Sequence, residues 1–347
     1  MSWKIEQASL RALMECLPIA LRSSTEQRRN LIMRGLAEIL EQGHGDRVQI
    51  VRAVMLQANL PRAQRGKKTL AAGIVVLGGD GSGNLLAVDI DPIANLRFPS
   101  LSGALLEAIF AFLHEQGVPF LQALRDAGED QPLLREHGCM PLAELDYCVA
   151  AVAEPDTAVP GAGNGDLFEL LPYRRWVSEL RGDRGSLANQ KGDPFEQLVE
   201  ATFAGSLDFP AIAPYQTAPR ALRGYREITG HDPDWWFVVR GAGNEGDGCL
   251  LLTPKQESQI VEITYMGLIP AVRGKRLGEK LLRWTHQLAK AGGFERITLA
   301  VDRANHPARK LYTRNGFEIL FSETVWGGAI ENLGGAARAA KRSRRAA

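Results

Sequence analysis

The sequence predicts an α/β (α+β) chain of two similar domains in tandem, on three observations. Its 347 residues exceed what one ordinary hydrophobic core organises. Helix-like and strand-like patterns alternate along both halves. The two halves also align on each other at a nearly constant offset. Composition fits a globular protein, with 45% apolar and 23% charged residues. Lys plus Arg number 41 and Asp plus Glu 40, a balance that argues against nucleic acid or a membrane surface as partner. No apolar run reaches the ~20 residues of a membrane span. Lys4, Glu6, Gln7, Arg11 and Glu15 interrupt the N-terminus, which lacks a signal-peptide core, so a cytoplasmic location is expected. Cys16, Cys139, Cys148 and Cys249 show no CxxC spacing, and free thiols without a metal are expected.

In the first half, Leu31, Leu36, Ile39 and Leu40 recur at helical spacing between Thr25 and Gln42. Strand-like runs follow at Val48–Met55, Thr69–Leu77 and Leu85–Ile90, the last two joined by the turn Gly-Gly-Asp-Gly-Ser-Gly at 78–83. A helix is predicted from Ser102 to Gln116, stopped by Gly117. The second half repeats this order. It has a helix at 195–203 opened by Pro194, strands at Trp235–Arg240, Cys249–Thr253 and Ser258–Leu268, and a helix at Leu277–Ala291. A strand at Arg296–Val301, a helix at Pro307–Asn315 and a strand at Phe317–Val325 complete it. Residues 154–166 are rich in Pro, Gly and acidic side chains and read as a linker. The predicted domains are thus 1–153 and 167–328, followed by a disordered basic tail at 329–347.

An offset of 176 residues places Arg97 on Arg273, Leu101 on Leu277, Leu105 and Leu106 on Leu281 and Leu282, Gly117 on Gly293 and Asp126 on Asp302. Beyond that point the second copy is two residues longer. A repeat of this period is too long for a solenoid, so each copy should be a whole domain.

Chemistry concentrates in two segments of the second copy. Residues 262–282 read as a strand, a short loop rich in Gly and basic residues, and a helix start. That order gathers backbone N–H groups at the positive end of a helix dipole and suits a pyrophosphate. Gly274 and Gly278 permit close approach, while Arg273, Lys275 and Arg276 add charge. Residues 301–317 then place Asn305 before a helix, Pro307 in its first turn, and Ala308 and Tyr312 on one face.

Together these segments resemble the GNAT superfamily of N-acetyltransferases. The family's phosphate loop, Gln/Arg-x-x-Gly-x-Gly/Ala, reads here Arg273-Gly-Lys-Arg-Leu-Gly278, with Arg276 where the first Gly is usual. The run Asn305…Ala308…Leu311-Tyr312…Gly316-Phe317 fits without departure. The tandem layout is similar to that of members such as mycothiol synthase. The resemblance implies two domains, each a mixed, mostly antiparallel sheet flanked by helices. It also implies acetyl-CoA as acyl donor and transfer to an amine-bearing small molecule or a peptide or protein acceptor, by a monomer or homodimer. Cofactor contacts would come from Met266, Gly267, Leu268, Arg273, Gly274, Lys275, Arg276, Leu277, Gly278, Asn305 and Ala308. Glu262 would be the base and Tyr312 the acid. The alternatives are a longer acyl-CoA as donor, or a non-catalytic CoA-binding scaffold. The first copy reads Arg97-Phe-Pro-Ser-Leu-Ser102 at the loop, with Glu129 at the place of Asn305, and is expected to keep the fold without the cofactor site.

Overall fold

The computed structural model describes residues 2–56, 68–153, 169–182, 192–241 and 246–334. The predicted linker at 154–166 lies outside the described residues, as does the tail beyond Gly334. In chain order the first half forms β1 (Ser2–Ala8), α1 (Leu13–Ala20), α2 (Glu26–Glu41), β2 (Val48–Leu56), β3 (Lys68–Leu77), β4 (Gly83–Ile90), α3 (Pro92–Arg97), α4 (Leu101–Glu115), β5 (Phe120–Asp126), α5 (Pro132–Glu136) and β6 (Met140–Ala151). The second half forms β7 (Glu169–Pro172), α6 (Tyr173–Gly182), α7 (Pro194–Phe203), α8 (Ala218–Arg226), β8 (Trp236–Arg240), β9 (Gly246–Lys255), β10 (Ile260–Leu268), α9 (Leu277–Ala291), β11 (Arg296–Asp302), α10 (His306–Arg314) and β12 (Glu318–Ala329). The offset read from the sequence carries over to these bounds. α4 and β5 fall on α9 and β11 at 176, and β6 falls on β12 at two residues more.

Local chemistry explains many of these bounds. Thr25 caps α2 by accepting the Arg28 N–H at 3.2 Å. Asp193 caps α7 through the Phe195 N–H, and Pro194 takes the first helical position. The turn before β4 needs Gly81 at φ 80°, and Asp80 accepts the Ser82 N–H at 2.9 Å to close it.

The chain forms two compact units, each a mixed, mostly antiparallel sheet flanked by helices. One is Met1–Leu142 with Thr324–Ala347, the other Ala143–Glu323. The first unit orders its strands β1-β2-β3-β4-β5-β12, and β4–β5 pair in parallel. One face is covered by α4, whose Leu105, Leu106, Ile109 and Leu113 join the core. The other is covered by α1 and α2. The second unit runs β6-β11-β10-β9-β8-β7, antiparallel except β10–β11. α9 and α10 pack on one face, and α6, α7 and α8 on the other.

The units therefore divide the chain elsewhere than the sequence halves do. β6, the last strand of the first copy, pairs antiparallel with β11 of the second unit from Leu145 to Ala151. The end of β12 enters the first unit in return, where Trp326, Ile330 and Leu333 sit in its core at 6%, 2% and 2% exposure. This corrects the tail predicted from residue 329: residues 329–333 are folded, because Ile330 and Leu333 are apolar and find a core to fill.

Candidate active site

In the second unit β10 and β11 pair at only three positions: Ile260 with Arg296, Val261 with Ile297 and Glu262 with Thr298. β10 stays paired with β9 as far as Leu268. From Ile263 onward one edge of β10 thus faces an opening between two parallel strands. Backbone groups there want a partner, and an extended ligand arm can supply one as an added strand would. The register of β10 on β9 slips between Ile263 and Tyr265, leaving Thr264 as a bulge. Strand alternation predicts Glu262, Thr264 and Met266 on one face. The bulge breaks that pattern: Met266 packs with Val261 and Ile263, while Tyr265 joins the cluster built around α7 and α8.

After β10, Gly274 (φ 77°) and Arg276 (φ 60°) take left-handed backbone before α9 begins. Among the described residues the main-chain N–H groups of Gly274, Lys275 and Arg276 have no partner. The first N–H groups of α9 are likewise unsatisfied within the helix. The result is a run of donors at a positive helix end, suited to phosphate oxygens. The left-handed conformation at Arg276 is the physical reason Gly suits that position, since a Cβ there costs about 1–2 kcal/mol.

Arg273 does different work from that expected of a phosphate contact. Its guanidinium donates to the carbonyls of Leu268 (3.0 Å), Gly205 (3.1 Å) and Thr202 (3.0 Å). It braces the end of β10 against the end of α7, and Lys275 and Arg276 remain as the exposed basic side chains of the loop. Gly278 also serves packing: a Cβ there would lie 2.7 Å from Leu311 Cδ2, so its absence lets α9 and α10 approach.

On α10 Asn305 accepts the Ala308 N–H at 3.3 Å and caps the helix. Tyr312 is 9% exposed, with its ring 5.7 Å from Phe317. Its hydroxyl has no hydrogen-bond partner among the described residues. Burial, then the nearby Asp208 charge, pushes the phenol well above its ordinary pKa, so it stays protonated through neutral pH.

A model described as the acetyltransferase (GNAT) family matches residues 204–317, from the end of α7 through both chemistry-bearing segments. The chain carries a GNAT acetyltransferase domain. It is similar over 94 residues (30% identity) to a Bacillus subtilis protein described as a ribosomal protein bS18-alanine N-acetyltransferase, and over 99 residues (31% identity) to the mycothiol acetyltransferase of Beutenbergia cavernae. These matches take in 27% and 28% of this chain, but only 60% and 32% of the relatives. A solved tandem GNAT protein from the clavulanic acid biosynthesis pathway shares the fold over 95% of this chain and 99% of its own, at a TM-score of 0.51 and 11% identity.

Within the GNAT domain Glu262 occupies the last position at which β10 and β11 pair, and its Oε2 lies 2.5 Å from Lys255 Nζ. Trp235 and Trp236 face opposite ways, one beside Phe294 and the other beside Phe195 and His231. The structure also brings in Asp208, a residue no motif indicates. Its Oδ1 accepts the Asp302 N–H at 3.0 Å, and the Asn305 side chain donates to the same carboxylate. The Asp302 carboxylate in turn accepts the N–H groups of Phe209 (3.1 Å) and Ala304 (2.9 Å).

The matching place in the first unit is crossed by arginine side chains and keeps only a small cavity of about 80 Å³, lined among others by Arg28, Val88, Arg125 and Glu129. There β4 and β5 pair only at Gly83–Leu121 and Asn84–Gln122 and then part. Arg125 Nη1 donates to Leu85 O (3.3 Å) and Leu124 O (2.6 Å), and Arg28 Nη2 donates to Leu124 O as well. Its loop at 97–102 contains no left-handed residue, and the N–H groups of Phe98 and Leu101 are bonded internally.

Proposed function

We propose that the protein is an acetyl-CoA-dependent N-acetyltransferase that moves the acetyl group directly to a primary amine of a small molecule or a peptide or protein. The observation that carries this reading is the parting of β10 from β11 just before a loop of unpaired N–H donors at the start of α9. On this reading the pyrophosphate of acetyl-CoA is held by the N–H groups from Gly274 to Gly278, Arg276 contributing its backbone N–H, with Lys275 adding charge. The pantetheine arm runs along Met266, Gly267 and Leu268, toward Asn305 and Ala308. The acceptor amine attacks the thioester carbonyl, forming the C–N bond as the C–S bond breaks. Tyr312 gives its proton to the departing thiolate. An alkylammonium has a pKa near ~10, so a base must first remove a proton. Glu262 is the carboxylate to which the motif points, and its ion pair with Lys255 already engages one of its oxygens.

The first copy, whose loop at 97–102 lacks left-handed residues and bonds the N–H groups of Phe98 and Leu101 internally, binds no acetyl-CoA on this reading. Isothermal calorimetry of the full chain with acetyl-CoA tests it, and one site per chain is expected. Absence of binding removes the acetyltransferase reading, and two sites per chain would give the first copy a cofactor site of its own.

A further inference from the structure

Among the described residues no Lys or Arg pairs with Asp208 or with Asp302, although the two carboxylates are neighbours. Their reciprocal bonds clasp the segment after α7 to the turn between β11 and α10. The clasp is firm enough to hold Phe209 at φ 42°, a conformation that bulky residues seldom adopt without functional cause. The Asp208 charge acts on both Tyr265 of β10 and Tyr312 of α10, so the carboxylate lies by the parting of β10 from β11. Asp208 is an exposed residue. The protein crowding around its carboxylate nevertheless strips away enough water to raise its pKa above the ordinary Asp value. The Asp302 and Asn305 donors oppose that rise, and the Asp302 charge adds to it. Arg273, the cation bound to the same segment, is turned toward carbonyl groups. Two carboxylates without a counter-cation, beside a nine-tenths-buried phenol whose hydroxyl lacks a partner, form a site short of one positive charge.

We propose that Asp208 receives the ammonium group of the acceptor in this cleft and accepts its proton before attack. The proposal rests on the acetyltransferase reading and names the residue by which that site selects a cationic amine. The ammonium gives one proton to Asp208. The neutral nitrogen attacks the thioester carbonyl and loses a second proton as the amide forms. The thiolate takes one proton from Tyr312, and the turnover releases one proton net. A base needs a vacant lone pair facing the reactants and a pKa lifted toward the working pH. Among the described residues Asp208 has no cation on its carboxylate, and its pKa is raised by burial, whereas Glu262 shares its carboxylate with Lys255.

The test uses the full chain, its Asp208→Asn variant, and a panel of ethanolamine, spermidine and a lysine-containing peptide, each also as its N-acetyl derivative. Calorimetry with acetyl-CoA comes first; a parent that does not bind it fails the acetyltransferase reading itself. Given binding, Asp208→Asn should hold acetyl-CoA as the parent does. At least one free amine, but not its acetylated form, should raise the melting temperature of the parent and not that of the variant. Turnover of that amine, followed by thiol release, should fall at least about 100-fold at neutral pH and recover as pH approaches the pKa of the amine. A structural control follows from linkage. Because the folded-state pKa is raised, ionised Asp208 opposes folding once pH rises through that value. The variant should therefore melt no lower than the parent at pH 8, and the difference should shrink toward pH 4. A panel that shifts neither protein, a variant that responds as the parent does, or loss of the pH-dependent component in Glu262→Gln instead would each overturn the proposal.

Discussion

Tyr312 is nine-tenths buried, yet its hydroxyl bonds to nothing among the described residues. A lone buried phenol is a poor structural element, and burial keeps its proton in place until a stronger base, such as a departing thiolate in contact with it, develops. Phe at this position keeps the contact with Phe317 and loses only the proton. kcat should then fall by about 10²-fold, the low end for general acid help because a thiolate already leaves readily, with acetyl-CoA affinity unchanged. Steady-state kinetics with calorimetry decide this, and an unchanged kcat takes Tyr312 out of the proton path. Arg276 presents the opposite case, a side chain whose backbone would suit Gly better. Arg276→Gly relieves ~1–2 kcal/mol of left-handed strain and adds ~0.5–1 kcal/mol of unfolded-chain entropy. A net gain of about 0.5–1 kcal/mol in denaturant unfolding is expected. Acetyl-CoA should bind the variant at least as tightly; a large loss would show that the Arg276 charge contacts phosphate.

At the scale of elements, α9 and α10 meet where Gly278 leaves room for the end of the Leu311 side chain. A bulky residue at position 278 could in principle weaken cofactor binding by obstructing the phosphate loop, but its Cβ would meet Leu311 first. Gly278→Val should thus destabilise by ~1–3 kcal/mol through overpacking and disturb α10, which carries Tyr312 next to Leu311. Leu311→Ala in the same chain makes room and should return most of the lost acetyl-CoA binding. If the double variant binds as poorly as Gly278→Val alone, the obstruction lies in the loop and not between the helices. β10 is bent to its task by a comparable local device. The bulge at Thr264 turns Met266 toward α9 and Tyr265 toward α7 and α8, which seats Tyr265 by Thr202 at 2.8 Å.

For the whole molecule the governing fact is the exchange of final strands. β6 carries Asp146 into the second unit, where it is fully buried. Its Oδ1 accepts from Arg303 (2.8 Å) and Ser322 (2.8 Å), and its Oδ2 lies 3.2 Å from Arg309 of α10. Breaking such a pair on one side costs several kcal/mol, because a buried charge is left without its partners. The helix that bears Asn305 and Tyr312 is thus anchored by a strand from the other half of the sequence. Fragment 167–347 should then fail to fold and to bind acetyl-CoA. Fragment 1–153, deprived of Trp326, Ile330 and Leu333, should lack a cooperative melt. Mixing or co-expressing the two should restore both properties, as read by circular dichroism and calorimetry. A fragment 167–347 that binds acetyl-CoA like the full chain would show that the exchange is dispensable.

The sequence by itself determined those features that residues a few positions apart decide together. α9 was legible to the residue, from apolar spacing and the glycines at 292 and 293, and the donor-rich loop before it from its Gly and basic residues. The offset of 176 foretold that α4 and β5 would recur as α9 and β11, because duplicated patterns keep their local preferences. Short or mixed segments gave no such signal: β7 has four residues, α1 contains Pro18, and the polar α6 and α8 owe their place to packing against α7. Tertiary structure alone decided which unit β6 and the end of β12 would serve, since strand pairing joins residues more than a hundred positions apart. It also decided that Thr264 would bulge, that Arg273 would brace α7, and that Asp208 would meet Asp302, Asn305 and the cleft. Each of these depends on a partner that lies far away in the chain, and local pattern carries no record of distant partners.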